Sequence, residues 1–214
     1  SSEIYKLPAG PLALAFGVEA RKEEFDQIMD PALESGNITG FGGPIKSTRD
    51  KDRKQWATYA ELNVPIVKNL EADFALRYDH YSDFGSTTNP KVSLRWQPMN
   101  TLLLRGSYGT GFLAPSLYEL FTPQFGGVTQ TGQTDPIRCP VTHDTGLDCS
   151  TQFGVTFGGN AALKPEESEQ ATFGIVFEPI PNLSFSIDYF KINLKNAIVN
   201  GITPAVVLGD LAQF

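Results

Sequence analysis

The residues of this chain that could carry out hydrolysis are gathered around His80. It stands in the stretch YDHYSDF between Asp79 and Asp83, with serines close by. A serine, a histidine and an aspartate form a hydrolase centre only when they meet in one geometry, which closeness in sequence does not ensure. The residue types therefore favour an ordinary residue near a strand end, and hydrolysis stays an alternative for which His80 would be essential.

The two cysteines, Cys139 and Cys149, lie in the stretch CPVTHDTGLDC. Its Gly and Asp residues are typical of a loop. We expect a local disulfide between them, which implies an oxidising compartment. A zinc site is disfavoured, because only His143 lies nearby and the close cysteine spacings of zinc sites are absent.

The glycines of GSYGTGF, residues 106–112, lack the Lys-Ser/Thr ending of a phosphate-binding loop. They favour bulges or a close approach of other groups to the backbone. The acidic pairs of EFDQIMD and DTGLDC lack the repeat spacing of a calcium site. We therefore predict no catalytic residue, no bound metal and no cofactor, and the chain is not interpreted as an enzyme.

The elements that must position these residues are strands, because apolar residues recur with a period of two. In FALRYDHY, Phe74 and Leu76 oppose Ala75 and Arg77, and KVSLRWQP and LSFSIDYF alternate in the same way. We count eight strands at roughly 1–7, 11–28, 53–66, 71–83, 90–98, 101–112, 168–179 and 183–198. Within 113–167, PSLYELF predicts a short helix with Ser116 and Glu119 as a capping box.

The composition limits the class of protein. The chain has 214 residues, a net charge of −7 and no basic stretch, which argues against nucleic-acid binding. No run of 18 apolar residues is present, so a membrane-spanning helix is excluded. A transmembrane barrel has a similar composition, because its polar inner positions dilute the apolar ones.

The links between the predicted strands differ systematically in length. Short turns are expected at 8–10, 67–70, 98–100 and 180–182, and longer links at 29–52, 83–90 and 113–167. A soluble sandwich has no reason to place its tight turns at one edge and its long loops at the other. An outer-membrane barrel does, with short periplasmic turns and long extracellular loops. Aromatic residues near the strand ends suit its interface girdles, although aromatic residues favour strands in any sheet.

At this point the residues resemble a known family, the TonB-dependent outer-membrane receptors. The resemblance covers most of 11–200 and is most specific over 77–121. Its motifs are Arg-Tyr-Asp, Tyr-Ser-Asp-Phe-Gly, Asn-Pro-Lys, Arg-Gly-Ser-Tyr, Gly-Phe-x-Ala-Pro, Leu-Lys-Pro-Glu and Asp-Tyr-Phe. Two positions depart from the family's pattern: Leu113 stands where an arginine is common, and Asn160-Ala161 where Asn-Pro is common.

The resemblance implies an all-β fold of antiparallel up-and-down strands, a segment of a transmembrane barrel in the cell outer membrane. The family's barrel has about 22 strands and holds a plug, so residues 1–214 are expected to be a fragment of one barrel domain. The implied partners are TonB, the protein's own plug domain, outer-membrane lipid and a scarce nutrient, most often a ferric siderophore. A passive porin or a small structural barrel is the alternative.

Two sets of residues are candidates for binding. Long loops on a rigid scaffold carry binding, so the loop 113–167 is expected to contact the ligand, or to pack only on itself. Its candidate residues are Tyr118, Phe121, Phe125, Gln130 and Gln133. On the polar side of the strands, Arg77, Arg95 and Arg105 are expected to contact the plug or an anionic substrate.

Overall fold

The computed structural model describes residues 2–37 and 43–199. Its strands are β1 Ser2–Leu7, β2 Gly10–Gln27, β3 Thr48–Val67, β4 Leu70–Tyr81, β5 Gly85–Met99, β6 Leu102–Leu113, β7 Phe125–Val128, β8 Gly154–Phe157, β9 Glu166–Ile180 and β10 Leu183–Lys195. Its helices are α1 Pro31–Ser35, α2 Leu117–Phe121 and α3 Cys139–Thr142. No helix in the described part of the chain is long and apolar enough to cross a membrane.

Eight of the strands form one antiparallel sheet in the order β1-β2-β3-β4-β5-β6-β9-β10. These are the eight strands predicted from the alternating pattern, so that prediction is confirmed. From β2 onward they have 12 to 20 residues, which exceeds the roughly 9–11 residues needed to cross a bilayer at a tilt. The strands β7 and β8 form a separate two-stranded sheet that the sequence did not predict.

The connections alternate in length as expected, with two corrections to the predicted loop bounds. Two residues separate β3 from β4, and β9 from β10, whereas residues 28–47 and 114–165 form long links. The predicted loop at 83–90 is wrong, since β5 begins at Gly85 and pairs with β4 from there. The loop predicted at 29–52 likewise ends earlier, because β3 begins at Thr48.

The loops contain short capped helices. Ser116 and Glu119 form the predicted capping box at α2, each side chain accepting the other residue's backbone N–H. At α1, the Asp30 carboxylate accepts the N–H of Ala32, and Gly36 closes the helix with a φ of 73°. A left-handed φ of this kind is characteristic of glycine after a helix.

The chain divides into two compact units. Within the described residues, the first comprises 2–23, 53–115 and 164–197 and contains most of the large sheet. The second comprises 24–37, 43–52, 116–163 and 198–199 and contains the three helices and the small sheet. The prediction that 1–214 is one barrel domain extends over residues outside the described part and stays a prediction.

The register sorts the side chains of the large sheet onto two faces. Phe74 lies opposite Leu62 and Val92, and Ile187 lies opposite Ile175, so the apolar residues share one face. This apolar face is exposed: Phe74 is 49% and Ile187 76% accessible. Among the described residues, the buried hydrophobic side chains are only Ile45, Ala57, Ala72, Leu117 and Leu120. The sheet thus leaves its apolar face for a lipid environment rather than a protein core.

Candidate functional site: the polar face and the outer loops

Arg77 is the centre of an ion-pair network on the polar face of β2–β4. Its guanidinium lies 3.2 Å from Glu19 Oε2 and 2.9 Å from Asp79 Oδ1. The Asp79 residue is 3% exposed, so Arg77 supplies the charge that its carboxylate needs. The guanidinium also lies 5.9 Å from the ring of Tyr59, a ring that has room only because Gly17 carries no side chain.

Arg105 forms a pair that bridges an intervening strand. It donates two hydrogen bonds to Asp188 Oδ1, at 3.0 and 2.7 Å, and a third to Oδ2 at 2.8 Å. Arg105 is on β6 and Asp188 on β10, and Gly174 of β9 lies between them in the register. A Cβ at Gly174 would collide with Asp188 Oδ1 and with the Arg105 side chain, so the glycine makes this pair possible.

Arg95 has the weakest interactions of the three arginines. Its guanidinium lies 3.5 Å from Glu71 Oε1 and donates a 3.3 Å hydrogen bond to Gln97. Both side chains of the ion pair are well exposed. The structure therefore places Arg77, Arg95 and Arg105 on the polar face as predicted, and each of them has a carboxylate partner within the sheet.

A cavity of about 400 Å³ opens on the same face between β2 and β5. Its lining includes the small residues Ala13, Ala15 and Ala75, and Glu61 and Lys91 flank Ala75 across the strands. Asp73 also lines the cavity and accepts hydrogen bonds from Asn63 at 2.7 Å and from Ser93 at 3.1 Å. The polar face can thus accept a charged or polar group at this level.

His80 lies on the opposite, apolar face. Its ring is 5.7 Å from that of Trp56, and its Nδ1 is 2.8 Å from the hydroxyl of Ser86. Asp79 points to the polar face and pairs with Arg77, and Asp83 pairs with Arg53. His80 therefore meets a serine hydroxyl but neither aspartate, so the triad of the hydrolase alternative is not assembled. His80 belongs to an aromatic cluster at a strand end.

The residues predicted to bind ligand lie at different places in the second unit. Tyr118 on α2 is 56% exposed and meets the ring of Phe25 edge-on at 6.1 Å. Phe121 lies under the ammonium of Lys51, 5.3 Å from it, and Phe125 stacks on Phe157 across β7 and β8. Gln130 is exposed, whereas the backbone of Gln133 pairs with Thr151.

A glycine and an asparagine that sequence reasoning did not assign to the site hold α2 in place. The N–H of Gly159 donates to the carbonyl of Thr122 at 2.8 Å, and Asn160 donates to that of Glu119. A Cβ at Gly159 would lie 2.8 Å from backbone atoms of Leu120. The sequence singled out Asn160 only as a departure from the family's pattern. Its partner in α2 is remote in the chain and could not be inferred.

The segment 135–151 contains a disulfide between Cys139 and Cys149, whose sulfurs are 2.04 Å apart. Asp148 is 2% exposed. Its carboxylate accepts a hydrogen bond from Thr142 and lies 3.2 Å from Arg138 Nε. The backbone N–H groups of Arg138 and Ile137 lower the pKa of Asp135, so the turn they close keeps its ionised carboxylate at neutral pH.

A sequence profile described as "TonB dependent receptor-like, beta-barrel" matches residues 5–210. The chain belongs to this family. The sheet is therefore a segment of a transmembrane barrel in the cell outer membrane, with short turns on the periplasmic side and long extracellular loops.

Several curated proteins are similar over most of the chain. An iron-regulated outer membrane virulence protein of Vibrio cholerae is 26% identical over 198 residues, which are 92% of this chain and 25% of the relative. The ferric enterobactin receptor of Pseudomonas aeruginosa is 25% identical, over 89% of this chain and 24% of the relative. This chain thus spans about a quarter of the length of the relatives it matches.

Solved structures share the fold. The siderophore receptor PirA from Acinetobacter baumannii superposes with a TM-score of 0.66 at 19% identity, covering 89% of this chain and 25% of that one. The ferric enterobactin receptor PfeA in complex with BCV-L6 also gives 0.66, at 20% identity and over 86% of this chain and 24% of that one. The exposed apolar face of the sheet corresponds to the lipid-facing wall of such barrels.

Proposed function

We propose that this chain is part of the wall and outer loops of a TonB-dependent receptor that takes up a ferric siderophore. The observation that carries the proposal is the family match over residues 5–210. Relatives whose names concern iron or ferric enterobactin give the ligand class. The receptor binds and releases its cargo without covalent chemistry, and energy reaches it through TonB.

The alternative is a passive porin or a small structural barrel. It would need no energised partner, and its loops would only have to restrict the pore. The named relatives favour the receptor instead, as does an outer loop with two sheet strands, two helices and a disulfide. Ordered loop structure of this extent suits binding better than passive filtration.

The ligand surface that we propose within this chain is centred on α2. Tyr118 offers an exposed aromatic ring, and Phe121 presents its ring beneath a lysine ammonium, a combination that suits an aromatic or anionic iron chelator. Gln130 adds an exposed amide in the same loop. Phe125 and Gln133 serve the loop's internal packing first, because their described partners are Phe157 and Thr151.

On the polar face we propose contact with the receptor's own plug. Arg77, Arg95 and Arg105 already have carboxylate partners, so they would contact the plug through the exposed parts of these ion pairs. The polar groups around the cavity at Ala75 provide further positions for such contacts. Lipid covers the apolar face.

The test is iron uptake by cells that produce the full-length receptor as their only such receptor. Radioactive iron is supplied as a ferric catecholate or a ferric hydroxamate, with and without a functional TonB. We expect saturable uptake of one chelate that is lost without TonB. Uptake that persists at the same rate without TonB would instead establish the passive porin.

A further inference from the structure

Arg53 is a buried arginine at the loop end of the sheet's polar face. It is 5% exposed. Its Nε and Nη2 donate to Glu23 Oε2, at 3.1 and 2.5 Å, and its Nη1 donates to Asp83 Oδ2 at 3.3 Å. The same Nη1 donates to the carbonyl oxygen of Pro115 at 2.6 Å, and the guanidinium lies 5.2 Å from the ring of Tyr81.

The position of Arg53 follows from the short turn that joins β4 to β5. Gln55 pairs with Tyr81, so Arg53 is level with Asp83 at the hairpin tip, residues 82–84. In the sheet, β4 and β5 lie between β3 and β6, and both end at this turn. Beyond the turn, the Arg53 side chain can reach across to Pro115, two residues after Leu113 at the end of β6.

Pro115 is the root of the long loop. It is fully buried, and Ser116, the N-cap of α2, follows it directly. At the same ends of β4, β5 and β6, the rings of Tyr81, Phe84 and Phe112 contact one another, with centroids 4.6 to 6.5 Å apart. The loop therefore leaves the sheet from a packed base and not from a frayed strand end.

Arginine is suited to this position because of its geometry. The planar guanidinium carries five N–H donors in a fixed fork, whereas a lysine ammonium is a single point charge. Here that fork serves acceptors on three segments at once: Glu23 on β2, Asp83 in the hairpin, and Pro115 after β6. A lysine could balance the negative charge but could not hydrogen-bond to these three acceptors in their present positions.

We propose that Arg53 is a positioning residue that fixes the root of the 114–165 loop, and through it the ligand surface of α2. The role in ligand binding rests on the function proposed above, whereas the anchoring of the root does not. The expected consequence of losing Arg53 is a mobile loop and weaker ligand binding in a barrel that is still folded.

The experiment uses the full-length receptor with Arg53→Ala, Arg53→Lys and, as a control, Arg49→Ala. Arg49 is exposed and lies in the same strand. A nitroxide on Thr131→Cys reports loop motion, because Thr131 is exposed and both cysteines of this chain are in the disulfide; any further cysteine of the full-length receptor is replaced by serine. Ferric chelate binding is titrated in parallel, and barrel integrity is checked by the heat-dependent shift in gel mobility.

We expect Arg53→Ala to sharpen the nitroxide spectrum and to raise the Kd about tenfold, because ligand binding would then have to order a mobile loop. The number of binding sites should not change. Arg53→Lys should recover part of both effects, and Arg49→Ala should stay within about twofold of the native Kd.

The outcomes separate the two proposals. If the loop and the Kd stay native in both Arg53 variants, the positioning role is overturned. If the loop becomes mobile but the Kd does not change, the anchor stands and the proposed ligand surface in this loop is overturned. If Arg53→Ala does not fold, Arg53→Lys alone decides by the same two measurements.

Discussion

The two faces of the large sheet differ in what their side chains contact, although the same strands form both. On the apolar face, Phe74, Ile187 and Tyr189 are 49–76% exposed and lack a protein cover within the described chain. On the polar face, Arg77, Arg105 and Arg53 are each held by carboxylates of the sheet. A residue on the first face needs only to be compatible with lipid, whereas a charge on the second needs a partner. The cost of a substitution should therefore depend on the face more than on the residue type.

The largest effect is expected for a charge placed on the apolar face. Phe74→Arg in the full-length receptor should lower the free energy of unfolding by about 2–4 kcal/mol, because an arginine near the bilayer midplane loses its hydration. The matched control is Ala75→Arg, one residue on, which faces the polar cavity beside Glu61. It should cost less, about 1 kcal/mol, because the guanidinium stays hydrated beside Glu61 although it displaces groups that line the cavity.

Denaturant titration of receptor folded into lipid bilayers measures both values. Equal costs for Phe74→Arg and Ala75→Arg would contradict the assignment of the faces.

The next effect distinguishes two arginines on the polar face. Arg77→Ala leaves the buried carboxylate of Asp79 without its counterion, and we expect a loss of about 2 kcal/mol. The full penalty for a buried pair is larger, but the Arg77 side chain is 40% exposed. Arg95→Ala removes an exposed pair and should cost about 0.5 kcal/mol or less.

The same titration compares the two variants. A loss for Arg95→Ala as large as that for Arg77→Ala would show that burial of the carboxylate does not set the cost.

A smaller effect is expected for Gly174→Val. The new side chain would displace Asp188 and Arg105, at a cost of about 1 kcal/mol because both groups can swing toward solvent. A double-mutant cycle with Arg105→Gln and Asp188→Asn isolates the pair itself. The coupling should be about 0.5 kcal/mol in the native background and near zero in the Gly174→Val background. A coupling that survives Gly174→Val undiminished would show that the pair does not depend on the glycine.

The smallest effect concerns Ala75, which lies between two charged residues on neighbouring strands as Gly174 does. Glu61 and Lys91 flank Ala75 as Arg105 and Asp188 flank Gly174. Ala75→Gly should let Glu61 and Lys91 approach, which raises their coupling to about 0.3 kcal/mol. A cycle with Glu61→Gln and Lys91→Met measures it, and a coupling already as large in the native background would contradict the role given to the alanine.

The sequence was sufficient for the strands because their signal is local. Period-two alternation identified all eight strands of the sheet, and the capping box at Ser116 and Glu119 depends on residues three apart. The start of β5 was missed for a local reason as well: Asn89 and Pro90 look like a turn. In the structure Pro90 opposes Leu76, just before pairing with β6 begins at Lys91, where a missing N–H costs little.

The rest depends on partners far apart in the chain. Arg53 meets Glu23 and Asp83 at a separation of 30 residues and Pro115 at 62, and no local pattern indicates such a meeting. The space beside Gly174 likewise exists only once β6, β9 and β10 are in register. The ligand-binding residues proposed in the loop depend on the fold as well, because their exposure is set by how the loop packs.

The cross-strand register also has a consequence for how such a wall can change over generations. Deleting one residue within β4 would move every later side chain of that strand to the other face, so that Arg77 would meet lipid and Leu76 the polar side. Inherited changes in length are therefore expected to collect in 28–47 and 114–165, where no such alternation must be kept. Surface variation seen from outside the cell can then accumulate while the wall keeps its residue count.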